Sequence, residues 1–128
     1  MIIGLGIDVV KIPRVVKAVD RFGDSFLNRV FCPEEIRWCK RKKDPFPCYA
    51  ARFAAKEAVV KAMGTGFSQG ITLRQICVKI LESGAPAIFL RKRAKEKALA
   101  LGIKTFHISL SHDTDTAVAV AVAEGEVP

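Results

Sequence analysis

An alanine-rich segment over residues 48–63 places the tightest constraint on how this chain folds. Small or apolar residues recur at every fourth position in two neighbouring rows: Ala50, Ala54, Ala58 and Ala62, and Ala51, Ala55, Val59 and Met63. This spacing predicts an α-helix, and its small side chains allow a neighbouring sheet or helix to approach closely. Gly64 and Gly66 follow. Glycines here are typical of a helix end, and they also give a ligand access to the backbone.

A further row of the same predicted helix carries charge. Phe53, Glu57 and Lys61 are spaced by four residues, so they lie on one face. The simplest interpretation of Glu57 and Lys61 is an ion pair between successive turns, which contributes about 0.2–0.5 kcal/mol. The alternative is that both side chains face a functional site.

Residues 2–10 are predicted to form a β-strand with two different faces. Ile3, Leu5, Ile7 and Val9 lie on one face, and Gly4, Gly6 and Asp8 lie on the other. An acid in an otherwise apolar strand is costly to bury unless a cation meets it. The two glycines beside it allow close approach of either a helix backbone or a ligand.

Asp8 and Glu57 together indicate a type of chemistry. Mg²⁺ prefers oxygen ligands and is commonly held by one or two carboxylates together with substrate phosphates and water. If the fold places Glu57 opposite Asp8, the two carboxylates form such a site, and Lys61 adds a positive charge for bound phosphates. The sequence contains no Walker loop and no dinucleotide-binding, zinc-protease or esterase motif. The residues therefore predict chemistry of the phosphoryl-transfer type.

The rest of the chain predicts an α+β fold. Helices are predicted over 13–21, 24–31, from 32 to the basic run at 40–43, and over 91–101; strands are predicted over 75–81, 86–90, 106–112 and 117–123. The last two strands form a hairpin, in which Phe106, Ile108 and Leu110 face one way. With 128 residues, half of them hydrophobic, we expect a single domain spanning 1–128.

Charge and cysteine content narrow the partners and the compartment. The net charge of +8 favours an acidic partner, whether a nucleic acid, an anionic membrane, a phosphorylated ligand or an acidic protein. No apolar run approaches the roughly 20 residues of a membrane span, and no signal segment opens the chain. The cysteines are Cys32, Cys39, Cys48 and Cys77, without a CxxC pair. We expect reduced thiols in a cytoplasmic protein, with a disulfide or a zinc site as the alternative.

Two further features carry both a functional and an ordinary interpretation. Arg14, Lys17 and Arg21 recur at helical spacing, which predicts either a docking surface for an acidic partner or a solvated helix face. His112 falls at the end of a predicted strand, a common place for a site. Its ordinary interpretation is a solvent-exposed histidine in a hairpin.

Four segments, in this order and at this spacing, resemble one known family. They are GIDVVKIPR, RFGDSFLNRVFCPEE, ARFAAKEAVVKAMGTGFSQGI and ISLSHDTDTAVA. From Met1 to about Ala123 the chain resembles the bacterial holo-acyl-carrier-protein synthases, the short phosphopantetheinyl transferases. The resemblance implies a phosphopantetheinyl transferase-like fold, with a small antiparallel sheet packed on the long central helix. It also implies Mg²⁺-dependent transfer of 4′-phosphopantetheine from coenzyme A to a serine of apo acyl carrier protein, releasing adenosine 3′,5′-bisphosphate.

The functional residues of that family fall on matching positions here. The resemblance implies that Asp8 and Glu57 are metal ligands and that catalysis depends on them and on Lys61. Glu57 is also a candidate general base, directly or through a water molecule. Coenzyme A contacts are expected from Arg52, Lys61, Gly64, Gly66 and His112. Docking of the carrier protein is expected from Arg14, Lys17, Arg21 and, as a further member, Arg29. Family members are typically trimers with sites at subunit interfaces, so we expect a cytoplasmic homotrimer.

Two other classes of protein compete with this interpretation. A nucleic-acid-binding module would use the basic clusters at 37–43 and 91–97, and its affinity would be indifferent to Asp8. A noncatalytic trimeric scaffold would leave Asp8 unexplained in its glycine-lined strand. We therefore expect neither nucleic acid nor membrane among the partners.

Overall fold

The computed structural model describes residues 1–128, and its elements follow the predicted order. The strands are β1 (Ile2–Lys11), β2 (Ile76–Ile80), β3 (Pro86–Leu90), β4 (Ile103–Asp113) and β5 (Thr116–Gly125). The helices are α1 (Ile12–Phe22), α2 (Asp24–Val30), α3 (Pro33–Lys40), α4 (Phe46–Met63) and α5 (Lys92–Ala100), and a 3₁₀ turn covers Leu73–Gln75. No helix combines the length and the apolar character that crossing a membrane requires. The predicted α+β class is confirmed.

The central helix α4 begins two residues earlier than the sequence pattern predicts. Phe46 and Pro47 belong to its first turn, where proline is tolerated because the missing N–H has no partner within the helix. The Asp44 carboxylate accepts a hydrogen bond from the Phe46 backbone N–H at 3.1 Å. Gly64 ends the helix in the left-handed conformation with φ of 75°.

α4 lies across a three-stranded antiparallel sheet of order β1-β5-β4. The face of β5 turned to the helix consists of buried alanines: Ala117, Ala119, Ala121 and Ala123. These meet the alanine rows of α4, so two surfaces of small side chains pack together. Strands β2 and β3 form a separate antiparallel hairpin.

Gly4 and Gly6 explain how closely α4 approaches β1. A Cβ atom at Gly4 would overlap the carbonyl oxygen of Ala62, and one at Gly6 would overlap that of Ala58. Helix backbone therefore contacts strand backbone directly, which only glycine permits at these positions. Of the two interpretations of these glycines, the structure shows close helix packing.

The other face of the sheet carries apolar side chains that no element of this chain covers. Leu5, Ile7 and Val9 are 66%, 56% and 59% exposed. Their partners across the strand pair are the half-buried Val122, Val120 and Val118. The alternation predicted for β1 is therefore present, with its glycine face turned inward and its apolar face turned outward.

A buried ion pair ties α4 to the elements on its other side. The Lys56 ammonium donates to Glu35 Oε1 at 2.7 Å, to the Leu73 carbonyl at 3.2 Å and to the Ile76 carbonyl. Glu35 in turn accepts hydrogen bonds from the backbone N–H groups of Cys32 and Val78 at 2.8 and 2.9 Å. Both charged side chains are fully buried, and their polar atoms are well partnered.

All four cysteines are paired in two disulfides. Cys32 is bonded to Cys77, with the Cα atoms 6.0 Å apart, and Cys39 to Cys48, with the Cα atoms 5.5 Å apart. Both separations lie in the usual disulfide range. The prediction of reduced thiols is therefore wrong for this structure. Pairs separated by 45 and 9 residues carry no spacing signal, and it is the packing of α3 against α4 and β2 that brings them together.

Candidate functional site

Asp8 and Lys61 meet where β1 crosses α4. The Lys61 ammonium donates to Asp8 Oδ1 at 3.0 Å and to the Ile7 carbonyl at 3.0 Å. Asp8 is on the inward face of β1, and its side chain is 18% exposed. Lys61 pairs with this strand acid and not with Glu57, so the interpretation as a simple ion pair between helical turns is wrong.

Glu57 lines the same cavity as Asp8 and Lys61. The cavity, which we call the first cavity, has a volume of about 530 Å³ and is also lined by Arg14 and Phe53. Burial raises the pKa of the Glu57 carboxyl, and the nearby Asp8 carboxylate raises this pKa further, while Lys61 opposes the shift. The structure thus brings together the three side chains that the sequence assigned to catalysis.

The donor set of the first cavity fits a hard divalent cation. Asp8 and Glu57 offer carboxylate oxygens to one space, and their mutual repulsion is what a bound cation would relieve. No group of three or more histidine, cysteine or acidic side chains is placed to hold a metal. Two carboxylates completed by phosphate and water oxygens is an arrangement that suits Mg²⁺ and not a structural zinc site.

A second cavity lies between the start of α4 and the end of β4. It has a volume of about 490 Å³ and contains Arg52 and His112, which the sequence assigned to coenzyme A, together with Trp38, Lys42 and Ser111. Two cations, an exposed histidine and an indole surround one space. Such a lining suits a planar, anionic ligand.

Arg52 is the buried charge of this second cavity. It is 5% exposed; its Nη1 donates to the Cys48 carbonyl at 3.3 Å, and its Nε has no hydrogen-bond partner in the protein. Burial lowers the pKa of the guanidinium, and Glu35 opposes the shift. A buried guanidinium with an unused donor is costly unless an anion completes its shell.

The remaining predicted site residues lie outside the cavities, with one exception. Gly64 and Gly66 follow α4, both with positive φ, and line neither cavity. Arg14 lines the first cavity, whereas Lys17 and Arg21 are exposed on the same helix and Arg29 is exposed on α2. None of these four cations is in an ion pair with another residue of the chain. They remain free to meet an acidic partner.

The structure adds cavity residues that the sequence did not single out. Trp38 and Lys42 stand four residues apart around the end of α3, and the Lys42 ammonium lies 5.2 Å from the Trp38 ring centroid. Lys42 belongs to the basic run at 40–43, where the sequence predicts the end of a helix. The position of Phe53 was indicated by the sequence, because it lies on the same predicted helix face as Glu57 and Lys61.

Comparison with known proteins gives one consistent result. Residues 4–123 match the profile of the 4′-phosphopantetheinyl transferase superfamily. The holo-[acyl-carrier-protein] synthases of Maridesulfovibrio salexigens and Koribacter versatilis are 46% and 44% identical to this chain over 112 residues, which are 88% of this chain and 90% of each relative.

Solved structures agree with the sequence relatives. The holo-[acyl-carrier-protein] synthase of Neisseria meningitidis has a TM-score of 0.89 at 35% identity, covering 97% of this chain and 99% of that one. The enzyme of Helicobacter pylori, solved in complex with coenzyme A, has a TM-score of 0.83 at 38% identity, covering 94% and 99%. The chain therefore belongs to the 4′-phosphopantetheinyl transferase superfamily, as an enzyme of its holo-[acyl-carrier-protein] synthase family.

Proposed function

We propose that this chain transfers the 4′-phosphopantetheine group of coenzyme A to a serine of apo acyl carrier protein, with Mg²⁺ held by Asp8 and Glu57. The products are holo carrier protein and adenosine 3′,5′-bisphosphate. The observation that carries the proposal is the convergence of Asp8, Glu57 and Lys61 in the first cavity. Family membership supplies the reaction class, and the names of the relatives supply the carrier protein.

Each side chain of the first cavity has a distinct task in this reaction. Bound Mg²⁺ would neutralise pyrophosphate charge and make the phosphorus more electrophilic. Lys61, half exposed and free to turn from Asp8, places its ammonium on the phosphates and stabilises the charge that develops on the leaving group. Glu57, which lines the cavity beside Asp8 and Lys61, accepts the proton of the attacking serine hydroxyl, directly or through a water molecule.

The second cavity is proposed to hold the adenosine end of coenzyme A. Arg52 contributes its positive charge to a phosphate, and Lys42 and His112 add positive or hydrogen-bonding groups. Arg52 and Glu57 lie about 140° apart around α4, given 100° per residue. We propose that one coenzyme A molecule binds across two subunits, using the second cavity of one and the first cavity of the next.

Such sites require an oligomer, and the sheet provides a surface for one. Leu5, Ile7 and Val9 form an exposed apolar surface with the valines of β5. Contiguous apolar surface of this kind marks an interface. We propose that this face forms the subunit contact of a homotrimer in the cytoplasm, where coenzyme A and the carrier protein are available.

The direct test is a transfer assay. The protein is incubated with apo carrier protein, coenzyme A and Mg²⁺, and the mass of the carrier is followed. We expect one phosphopantetheine group to be added, and none when the carrier serine is replaced by alanine or when Mg²⁺ is chelated. Absence of transfer to a competent carrier would refute the proposed function.

Variants assign the two carboxylates. Asp8→Ala and Glu57→Ala are each expected to abolish transfer at ordinary Mg²⁺ concentrations. Glu82→Gln is the matched control, since Glu82 is exposed in the β2–β3 turn and is in no ion pair. Full activity of either alanine variant removes that residue from the proposed metal site.

Carrier docking and assembly have separate tests. Lys17→Glu should raise the KM for carrier protein without changing that for coenzyme A, whereas Lys95→Glu, with the same change in charge on α5, should change neither.

Ile7→Lys should convert the trimer to monomers in light scattering, whereas Leu99→Lys, at a similarly exposed site on α5, should not. A monomeric wild-type protein would refute the proposed trimer.

A further inference from the structure

The two disulfides differ in what they hold and in how far solvent reaches them. Cys32 and Cys77 are both fully buried. In the second bridge, Cys39 is fully buried at the end of α3, whereas Cys48 is half-buried in the first turn of α4. Only the second bridge therefore includes a cysteine residue that is partly exposed.

The Cys39–Cys48 bridge forms part of the second cavity. Cys48 lines this cavity, and its carbonyl accepts the hydrogen bond from Arg52 Nη1 at 3.3 Å. Trp38, adjacent to Cys39, lines the same cavity. The bridge thus joins the two helices, α3 and α4, that contribute to the second cavity.

The chain enclosed by this bridge supplies charged groups to the same cavity. Cys39 and Cys48 are nine residues apart, and Lys42 and Asp44 of the intervening loop both line the cavity. The loop carries basic residues at 40–43, all exposed, and is otherwise held by stacking on Trp38, by the hydrogen bond between Asp44 and the Phe46 N–H, and by backbone hydrogen bonds from residues 41 and 42 to the end of α3. These contacts are at the surface, so the covalent bond is the strongest constraint on the loop.

We propose that Cys39 and Cys48 form a reversible thiol–disulfide exchange site, and that its oxidised state orders the enclosed segment, residues 40–47, for binding of the nucleotide end of the substrate. The effect on substrate rests on the proposed function. Disulfides in a reducing compartment are usually transient or redox-sensing, which agrees with a reversible bond. The fully buried Cys32–Cys77 bond is excluded from the exchange by burial.

A small-molecule dithiol supplies the electrons that reduce the bridge, and its disulfide form accepts them when the bridge is oxidised again. A thiolate of the dithiol attacks Cys48 Sγ, the bond to Cys39 breaks, and Cys39 leaves as a thiolate that takes a proton. The second thiolate of the dithiol then attacks the reagent's own sulfur atom that is bonded to Cys48 Sγ. This step releases the Cys48 thiolate, which takes a proton, and leaves the reagent as a disulfide. Two electrons pass from the dithiol to the protein. Oxidation is the reverse sequence.

The first measurement locates the exchange site in the folded wild-type protein. The protein is treated with dithiothreitol under native conditions, the released thiols are alkylated, and the labelled cysteines are identified by mass spectrometry. We expect labels on Cys39 and Cys48, with Cys32 and Cys77 labelled only after denaturation. Native labelling of Cys32 and Cys77 as readily, or no labelling of Cys39 and Cys48, would overturn the proposal.

The second measurement follows the affinity for coenzyme A, by calorimetry and as the KM in the transfer assay. Reduction should raise both the Kd and the KM for coenzyme A by about fivefold or more. The reason is that Lys42 and Asp44 must then be ordered on binding, which carries an entropic cost. Cys39→Ser/Cys48→Ser should show the weakened value with or without the dithiol. Cys32→Ser/Cys77→Ser should still respond to it.

The outcomes distinguish this proposal from the proposed function. Equal affinity for coenzyme A in the oxidised and reduced proteins, with transfer intact, overturns the coupling to substrate and leaves the proposed function standing. Absence of transfer refutes the proposed function alone, and the labelling pattern still decides the exchange site. If the variant of the buried pair does not fold, the response of the wild type against Cys39→Ser/Cys48→Ser gives the same decision.

Discussion

Lys56 and Lys61 lie on the same helix, and each meets a carboxylate, yet their surroundings are opposite. The Lys56–Glu35 pair is fully buried, with Nζ and Oε1 2.7 Å apart. The Lys61–Asp8 pair opens onto the first cavity, with Nζ and Oδ1 3.0 Å apart and the lysine side chain 51% exposed. One face of α4 therefore carries a closed ion pair and another carries an open one.

The difference shows how a structural lysine can be told from one available for binding. Lys56 has three acceptors, which occupy all the donors of an ammonium group. Burial lowers the pKa of Lys56, and Glu35 opposes this shift. Lys61 reaches only Asp8 and the Ile7 carbonyl and keeps a donor facing solvent, so a phosphate can be added without breaking a buried network.

Removing the buried ammonium should have the largest effect on stability. Lys56→Met leaves the Glu35 carboxylate buried without its cation, which costs about 3–5 kcal/mol. The free energy of unfolding is measured by urea denaturation. A loss below about 1 kcal/mol, as expected for an exposed pair, would remove the contrast between the two lysines.

The open lysine should show the opposite pattern. Lys61→Met is expected to reduce the transfer rate by about 10²–10³-fold, the usual loss for one group that stabilises developing charge. Its free energy of unfolding should fall by less than that of Lys56→Met, because the Lys61 end of this ion pair is 51% exposed to solvent, although Asp8 is only 18% exposed. Lys95→Met on α5 serves as the control. A Lys61 variant with a normal rate would contradict the role proposed for this ammonium.

Removing both members of the buried pair should restore part of the lost stability. Glu35→Leu/Lys56→Met removes both charges of this pair, but it also takes the Glu35 carboxylate away from the buried Arg52 guanidinium. It further deprives two backbone N–H groups and two carbonyls of their side-chain partners: those of Cys32 and Val78, and those of Leu73 and Ile76. We expect a residual cost of about 1–3 kcal/mol, smaller than that of Lys56→Met. The double-mutant cycle in urea gives the coupling directly. A double variant no more stable than Lys56→Met would show that the backbone hydrogen bonds, and not the charge, dominate.

The Glu57→Gln substitution should give the smallest change in stability, and this change should depend on pH. Because its pKa is raised in the folded state, the native protein binds this proton more tightly than the unfolded chain does. Stability is therefore favoured below the usual carboxyl pKa and falls as pH rises through the raised pKa. In Mg²⁺-free buffer, Glu57→Gln removes this contribution to the pH dependence, so its Tm should match the wild type in acid and exceed it at neutral pH. In the transfer assay with Mg²⁺, its activity should be lost. The control Glu82→Gln should follow the wild type, and a Glu57→Gln protein less stable at neutral pH would contradict the assignment.

Much of the fold follows from short-range pattern. The rows of alanine in α4, the two faces of β1 and the alternation in β4 and β5 each determine an element and its orientation, and the structure contains all of them. The apolar face of β1 was predicted as a face, but nothing local indicated that it would remain exposed. That outcome depends on which side of the sheet α4 covers.

The site was predictable where its residues carry a motif and not where they meet by tertiary packing alone. Asp8, Glu57 and Lys61 were singled out, although the partner of Lys61 was found on a distant strand instead of the next helical turn. The Glu35–Lys56 pair and both disulfides join separate elements without a periodic signal. Lys42 and Trp38 acquire a role only because α3 ends beside β4 residues Ser111 and His112.

The contact of Gly6 with Ala58 brings the main chains that carry Asp8 and Glu57 as close together as main chains can pack. Ala58 directly follows Glu57, and Gly6 precedes Asp8 by two residues, so the two carboxylates are attached to main chains already in van der Waals contact. Substitution cannot shorten a peptide group, whereas any side chain at Gly6 would push β1 and α4 apart. Sequence drift can therefore widen the gap between the two acids but cannot narrow it. In a homologue, the two carboxylates could be brought closer only by their side chains, because the main chains cannot approach further.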